Sequence, residues 1–250
     1  MTEQLCQRRL RLLHQVMADI CSLLDQTLLS RGPSGHTLPV VVKVTSALNF
    51  FAFQGSAADS CRISQSVTHS CITQATNGMF HKSANDVNFA TDEASVTERA
   101  LSFVTLACFP QIQGDINCTS ILRRNFGNCK GFHSFNAQLI CNHKKIIMHV
   151  CARFPGSCHE SFVLRQSTRP QHFAPPNILT SWLLGDKGYP LKKWLMTPLR
   201  MPSNEAKECY NDSHMSARCV IEQAISIMKM HFRCLDRSGG ALQYAPARVS

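Results

Sequence analysis

Two carboxylates placed in apolar surroundings carry the clearest chemical signal in the chain. Asp186 closes the run Trp182-Leu183-Leu184-Gly185-Asp186, and Lys187-Gly188-Tyr189-Pro190 then breaks the strand. An acid at the C-terminal end of a strand stands where α/β sheets bind ligands, although a turn former or helix cap occupies the same place. Glu222 follows Val220-Ile221 and precedes Gln223-Ala224-Ile225 on a helical repeat, where its bland reading is a solvated flank. Brought together, the two acids could hold a hard divalent cation, Mg²⁺ or Mn²⁺, which prefers oxygen ligands. A nuclease can use two such ions to stabilise the attacking and leaving oxygens on phosphorus. A third acid from the first strand would complete such a site.

The elements that must position these acids are legible as short β-like runs. Ile112–Ile121, Phe132–Cys141, Ile146–Phe154 and Ser181–Asp186 are each bounded by Gly, Pro, Asn or Lys. A short helix is expected over Cys158–Gln166, with a loop marked by Pro170, Pro175 and Pro176 after it. A last helix over His214–Phe232, capped by Ser213, aligns Val220, Ile221, Ala224, Ile225, Met228 and Phe232 on one side. Upstream, Leu10, Leu13, Met17, Ile20 and Leu24 mark an amphipathic helix, and Gly32-Pro33-Ser34-Gly35 separates it from a second helical region beginning near residue 38. A turn around 55–59 and a helix opened by Ser64 read as helix-turn-helix-like. Gln65 and Ser66 could then reach bases in a major groove, but two helices with a turn also occur in many bundles. The outcome is a small mixed sheet flanked by helices, preceded by a helical region.

Charge points to a polyanion. The chain carries net +10, and residues 128–250 alone hold sixteen Lys/Arg against seven Asp/Glu, net +9. Nucleic acid is the commonest partner of such a field inside a cell, solubility being the plain alternative. The thirteen cysteines are scattered and never spaced as C-x-x-C, which favours reduced thiols. Cys151, Cys158 and His159 match no structural zinc pattern. No run approaches the eighteen or so apolar residues of a membrane helix, so a soluble intracellular protein without a membrane partner is expected. A G-x-S-x-G elbow, a Walker loop and G-x-G-x-x-G are missing, which leaves little support for an unrelated α/β enzyme.

Four motifs occur in order: Gly114-Asp115-Ile116-Asn117-Cys118-Thr119-Ser120-Ile121, Lys130-Gly131-Phe132-His133-Ser134-Phe135-Asn136, Phe154-Pro155-Gly156-Ser157-Cys158-His159-Glu160-Ser161 and Leu184-Gly185-Asp186-Lys187-Gly188-Tyr189-Pro190. With the run from Tyr210-Asn211 through His214, Arg218 and Val220-Ile221-Glu222 to His231-Phe232-Arg233-Cys234-Leu235, and with Gly240-Ala241-Leu242-Gln243-Tyr244, the chain resembles the PIF/Harbinger transposase superfamily from about residue 38 onward. The resemblance falls closest to its transposase-derived nucleases of animals. It implies an RNase H-like DDE nuclease domain over 106–250, truncated at its C-terminal end, after an N-terminal helical, helix-turn-helix-like region over 1–105. It also implies that Asp186 is the second catalytic Asp, Glu222 the catalytic Glu, and that Glu160 stands at the Asp of Pro-Gly-Ser-x-x-Asp. The three would be metal ligands for Mg²⁺ or Mn²⁺, with Lys187, Lys193, Arg218, Lys229 and Arg233 as DNA phosphate contacts.

Three positions depart from the family pattern: Glu160 replaces an Asp, keeping the charge with a longer reach, Ser120 replaces the His of the first motif, and Asn117 is the most consequential. Asn117 stands at the first catalytic Asp, offering a carbonyl oxygen but no charge to offset cation dehydration. Asp115 shares its strand face about 7 Å away by strand rise and is the candidate substitute. Two functions follow from the resemblance. One is a metal-dependent endonuclease hydrolysing DNA phosphodiester bonds, and the other is a catalytically inactive DNA-binding or partner-docking module on the same scaffold. The family habit of delegating DNA recognition adds a Myb/SANT-like protein as partner, with residence in nucleus and cytoplasm.

Overall fold

A computed structural model describes residues 7, 10, 12–29, 38–53, 63–87, 89, 92–123, 133–167 and 181–236. They form two compact units. The first runs to Asp86 and takes in Lys229 onward, and the second holds Val87–Met228.

The first unit contains α1 (His14–Leu28), α2 (Val40–Phe53) and α3 (Gln65–Asp86), together with the 3-10 turn Arg233–Leu235. Met17, Leu24 and Leu28 recur at helical spacing on α1 and pack with Val40, Val44 and Leu48 of α2. The buried Lys43 reaches Leu28 O at 2.8 Å, so a cation from α2 closes the carbonyl end of α1. Ser64 begins α3 as expected, its Oγ accepting from Val67 N at 3.4 Å. The helix it opens is 22 residues long. The turn required for a helix-turn-helix, near residues 55–59, lies outside the described residues.

The second unit is a five-stranded mixed sheet with helices on both faces. After α4 (Glu93–Ala107) come β1 (Ile112–Arg123), β2 (His133–Cys141), β3 (Ile147–Pro155), α5 (Glu160–Gln166), β4 (Trp182–Leu184), β5 (Leu195–Met196) and α6 (Glu205–His231). The sheet order is β3-β2-β1-β4-β5, with β1, β2 and β3 antiparallel and β4 and β5 running parallel to β1. This mixed α/β arrangement agrees in general terms with the RNase H-like expectation. Both faces are covered, although β1 and β2 carry polar residues among their apolar ones. Ile112, Leu139, Cys141 and Leu184 pack under Phe103 and Ala107 of α4 and Ala217, Val220, Ile221 and Ala224 of α6. The opposite face, Ile116, Ile140, Met148, Leu183 and Leu195, packs with Leu164 of α5 and with Tyr189.

Three elements differ from the sequence expectation. α6 starts at Glu205 and not near His214, because Asn204 caps it: Lys207 N donates to Asn204 Oδ1 at 3.0 Å, with Glu205 and Glu208 in the favourable first turn. Ser213 therefore lies inside the helix. β5 is two residues long, too short to register as a pattern. α4 belongs with the sheet, since Phe103 and Ala107 sit in its core, so the structural division falls at 86/87 and not at 105/106. Among the described residues no helix is long and apolar enough to cross a membrane.

Candidate active site

The site grows from the end of β4. After Leu184 the chain leaves the sheet, and Asp186 stabilises the turn by accepting from Gly188 N at 2.7 Å. Tyr189 anchors that turn from below, its buried hydroxyl 3.2 Å from Cys118 Sγ and 3.4 Å from Gln138 Nε2. Glu160 arrives from the other side as the first residue of α5, behind His159, whose Nδ1 accepts from Ser161 N at 3.3 Å. The two carboxylates converge over Gly188. A Cβ built there would stand 2.3 Å from Glu160 Oε2 and 3.0 Å from Asp186 Oδ1, so only glycine leaves room for both acids.

Among the described residues no cation lies within ion-pair distance of this pair. Glu160 Oε2 is buried without a hydrogen-bond partner. Burial first, and then the facing Asp186 carboxylate, push the Glu160 carboxyl up to about 7, with Arg218 pulling the other way. Two carboxylates held face to face need either a shared proton or a cation. An oxygen-only pair in that state suits a hard divalent ion, so the residues fit the group that the fold class implies.

A second set of charges lies between β1 and α6. Asp115 is fully buried, and neither of its carboxyl oxygens has a hydrogen-bond partner. Burial pushes its carboxyl well above the usual carboxylate range, Arg218 opposes this, and Glu222 adds to it. Arg218 donates to Ile116 O at 3.2 Å, and its other terminal nitrogen lies 4.0 Å from Glu222 Oε1, one helical turn on. Its charge is thus felt at both Asp115 and Glu160.

The structure therefore sorts the expected residues into two groups. Glu160 and Asp186 come together; Glu222 lies beside Arg218 and Asp115, with its own side chain 63% exposed. Asn117 lies two residues beyond Asp115 on β1, as Asp186 lies two beyond Leu184, and Asp115 is paired in parallel register with Leu184. Its neighbour Cys118 feels both acids: the thiol is pushed up to about 12 mainly by burial, with Glu160 and Asp186 contributing. Yet Asn117 Oδ1 is turned onto its own strand, accepting from Cys118 N at 2.9 Å. Among the described residues no three His, Cys, Asp or Glu side chains converge to hold a metal ion.

The expected phosphate contacts are also divided. Lys187 and Lys193 are exposed in the segment after Asp186, whereas Lys229 and the exposed Arg233 belong to the first unit. Arg218 departs from the expectation. It is 7% exposed, donates to Ile116 O and lies 4.0 Å from Glu222 Oε1, its charge opposing the rise of the Asp115 carboxyl. Sequence reasoning missed Gly188, whose signal was its place two residues after an acid at a strand end.

Residues 117–249 match the family model of the DDE superfamily endonucleases. The human protein named "Putative nuclease HARBI1" is 34% identical over 218 residues, covering 83% of this chain and 62% of its own length. The cattle protein of that name matches equally, and the Xenopus laevis one is 30% identical over 216 residues, covering 82% and 62%. The chain thus spans less than two thirds of these relatives. No solved structure matches. With the family model covering more than half of the chain and the carboxylate pair inside its span, the chain belongs to the DDE superfamily endonucleases, on their Harbinger-derived branch.

Proposed function

We propose that this chain is a divalent-metal-dependent endonuclease that hydrolyses phosphodiester bonds of DNA. The observation that carries the reading is the Glu160–Asp186 pair over Gly188, a like-charge pair with no internal cation of its own within hydrogen-bond reach. Glu160 and Asp186 would hold the cation, Mg²⁺ or Mn²⁺, with Asn117 and Glu222 as the further oxygen donors. The cation, when bound, supplies electrostatic stabilisation to the charge that develops on phosphorus oxygens. The protein's own residues do the rest. Lys187 and Lys193 hold the DNA phosphates beside the pair. DNA is the substrate in this reading, a Myb/SANT-like protein the recognition partner, and nucleus and cytoplasm the place of action.

One observation favours a second reading, a catalytically inactive module that binds DNA or a partner on the same scaffold. The Asn117 carbonyl is occupied by the Cys118 amide and adds no charge. Nicking of supercoiled plasmid with Mg²⁺ or Mn²⁺, run with Asp186→Ala, Glu222→Ala and Asn117→Asp, separates the two. Metal-dependent nicking lost in both alanine variants supports the nuclease. An inert wild type activated by Asn117→Asp locates the lost function at one residue. DNA binding without cleavage in every variant supports the module.

A further inference from the structure

Neither Glu160 nor Asp186 is carried by β2, yet two buried amide side chains of that strand reach the segments that carry them. Asn136 lies opposite Ser120 of β1 and Gln138 opposite Cys118, so the two amides stand on one face of the strand, about 7 Å apart by strand rise. It is the face on which Ile116 and Ile140 pack with Leu164 and Tyr189. An amide buried among such side chains is costly unless it is hydrogen-bonded.

Each amide bonds a different segment. Asn136 Nδ2 donates to Cys158 O at 2.9 Å, two residues before Glu160. Gln138 Nε2 donates to the Tyr189 hydroxyl at 3.4 Å, three residues after Asp186. Tyr189 N in turn donates to Asp186 O at 3.1 Å and closes the turn. The Tyr189 ring lies against Gly185, where a Cβ would stand 3.2 Å from Tyr189 Cδ2. A phenylalanine ring would fill that space as well. What the hydroxyl adds is direction, because it meets Gln138 and also lies 3.2 Å from Cys118 Sγ.

We propose that Asn136 and Gln138 are positioning residues that set, from one strand, the separation of Glu160 and Asp186. The inference rests on that pair as the cation site, but one arm of its test needs no metal. Gln138→Leu/Tyr189→Phe replaces both ends of one hydrogen bond by apolar groups, a change close to neutral for stability. Asn136→Leu removes the other donor, and Asn136→Ser repeats that arm where the larger side chain does not fold. Amide hydrogen exchange in the metal-free chain, read by NMR, should quicken about tenfold at Gly188 in the first variant. In the second it should quicken about tenfold at Phe162 and Val163, whose amides bond His159 O. The amides between β1 and β2 should not change in either. By calorimetric titration, Mn²⁺ should bind each variant about tenfold more weakly. Unchanged exchange at these amides, or quickening shared with the β1–β2 ladder as a merely structural role requires, overturns the proposal. So does Mn²⁺ affinity equal to that of the wild type. Segment-specific quickening with a wild type that binds no Mn²⁺ keeps the positioning role and removes the nuclease reading instead.

Discussion

The two acidic clusters of the second unit are built from the same residue types and solve the same electrostatic problem differently. At the turn after β4, Glu160 and Asp186 face each other with one backbone amide and no cation at hydrogen-bond distance. Between β1 and α6, Asp115 and Glu222 are given Arg218, which is itself fastened to Ile116 O. A cluster that carries its own counter-ion is complete as folded and contributes to holding a helix on a sheet. A cluster without one stores repulsion that an outside proton or cation must relieve. The difference assigns Glu160 and Asp186 to chemistry and the buried Asp115 and Arg218 chiefly to architecture, with the exposed Glu222 free to serve either.

Removing the internal cation tests that assignment most severely. Arg218→Met leaves Asp115 beneath α6 with no positive charge beside it and leaves the Ile116 carbonyl without its donor. Leaving a buried carbonyl without its donor costs about 2 kcal/mol. For a chain of this size that corresponds to a fall in Tm of roughly 4–8 °C, read by calorimetry. Asp186→Ala in the other cluster should shift Tm far less, since the repulsion it removes offsets the lost Gly188 N hydrogen bond. If the two variants shift Tm alike, the clusters do not differ in kind.

Gly188→Ala sharpens the comparison from the other side. The added methyl overlaps Glu160 Oε2, the far end of a flexible side chain that can swing out, so the cost in stability is only about 1 kcal/mol. The swing separates the two carboxylates. Mn²⁺ affinity measured by calorimetric titration should then fall about tenfold, as when the groups that orient a ligand are lost. Undiminished Mn²⁺ binding would place the cation elsewhere.

How much of this was legible in the sequence depended on whether a signal was local. Asp186 at a strand end and the Ser64 cap are local chemistry, and both were found. Strands β1 to β4 announced themselves as short β-like runs bounded by breakers. The start of α6 was missed because Ser213 and Asn204 are both acceptable caps, and the glutamates of the first turn tip the choice to Asn204. The role of Arg218 was hidden for another reason. The partner that buries it, Asp115, lies 103 positions earlier, and only the β1–α6 packing brings them together. The rotation of the Asn117 side chain onto its own strand leaves no mark in residue spacing.

The smallest effect concerns Asp115 and has a sign that pH can expose. Its folded carboxyl titrates well above the unfolded value because of burial. Between those two values the folded chain keeps a proton that the unfolded chain has lost, so the stability present at low pH erodes as pH rises. His214 acts in the opposite sense: burial lowers its folded value, the unfolded chain takes up the proton first, and stability is lost as pH falls below about 6.5. Asp115→Asn keeps the shape and abolishes the first titration. It should raise stability by about 1 kcal/mol at pH 8, with little change at pH 4, and leave the acid-side loss from His214 in place. Tm measured across pH 4–8 reads both limbs. An Asp115→Asn variant that gains stability yet still nicks plasmid confirms an architectural acid. One that gains stability and loses metal-dependent nicking would mean that Asp115 supplies the charge that Asn117 lacks, and the two clusters would then be one site.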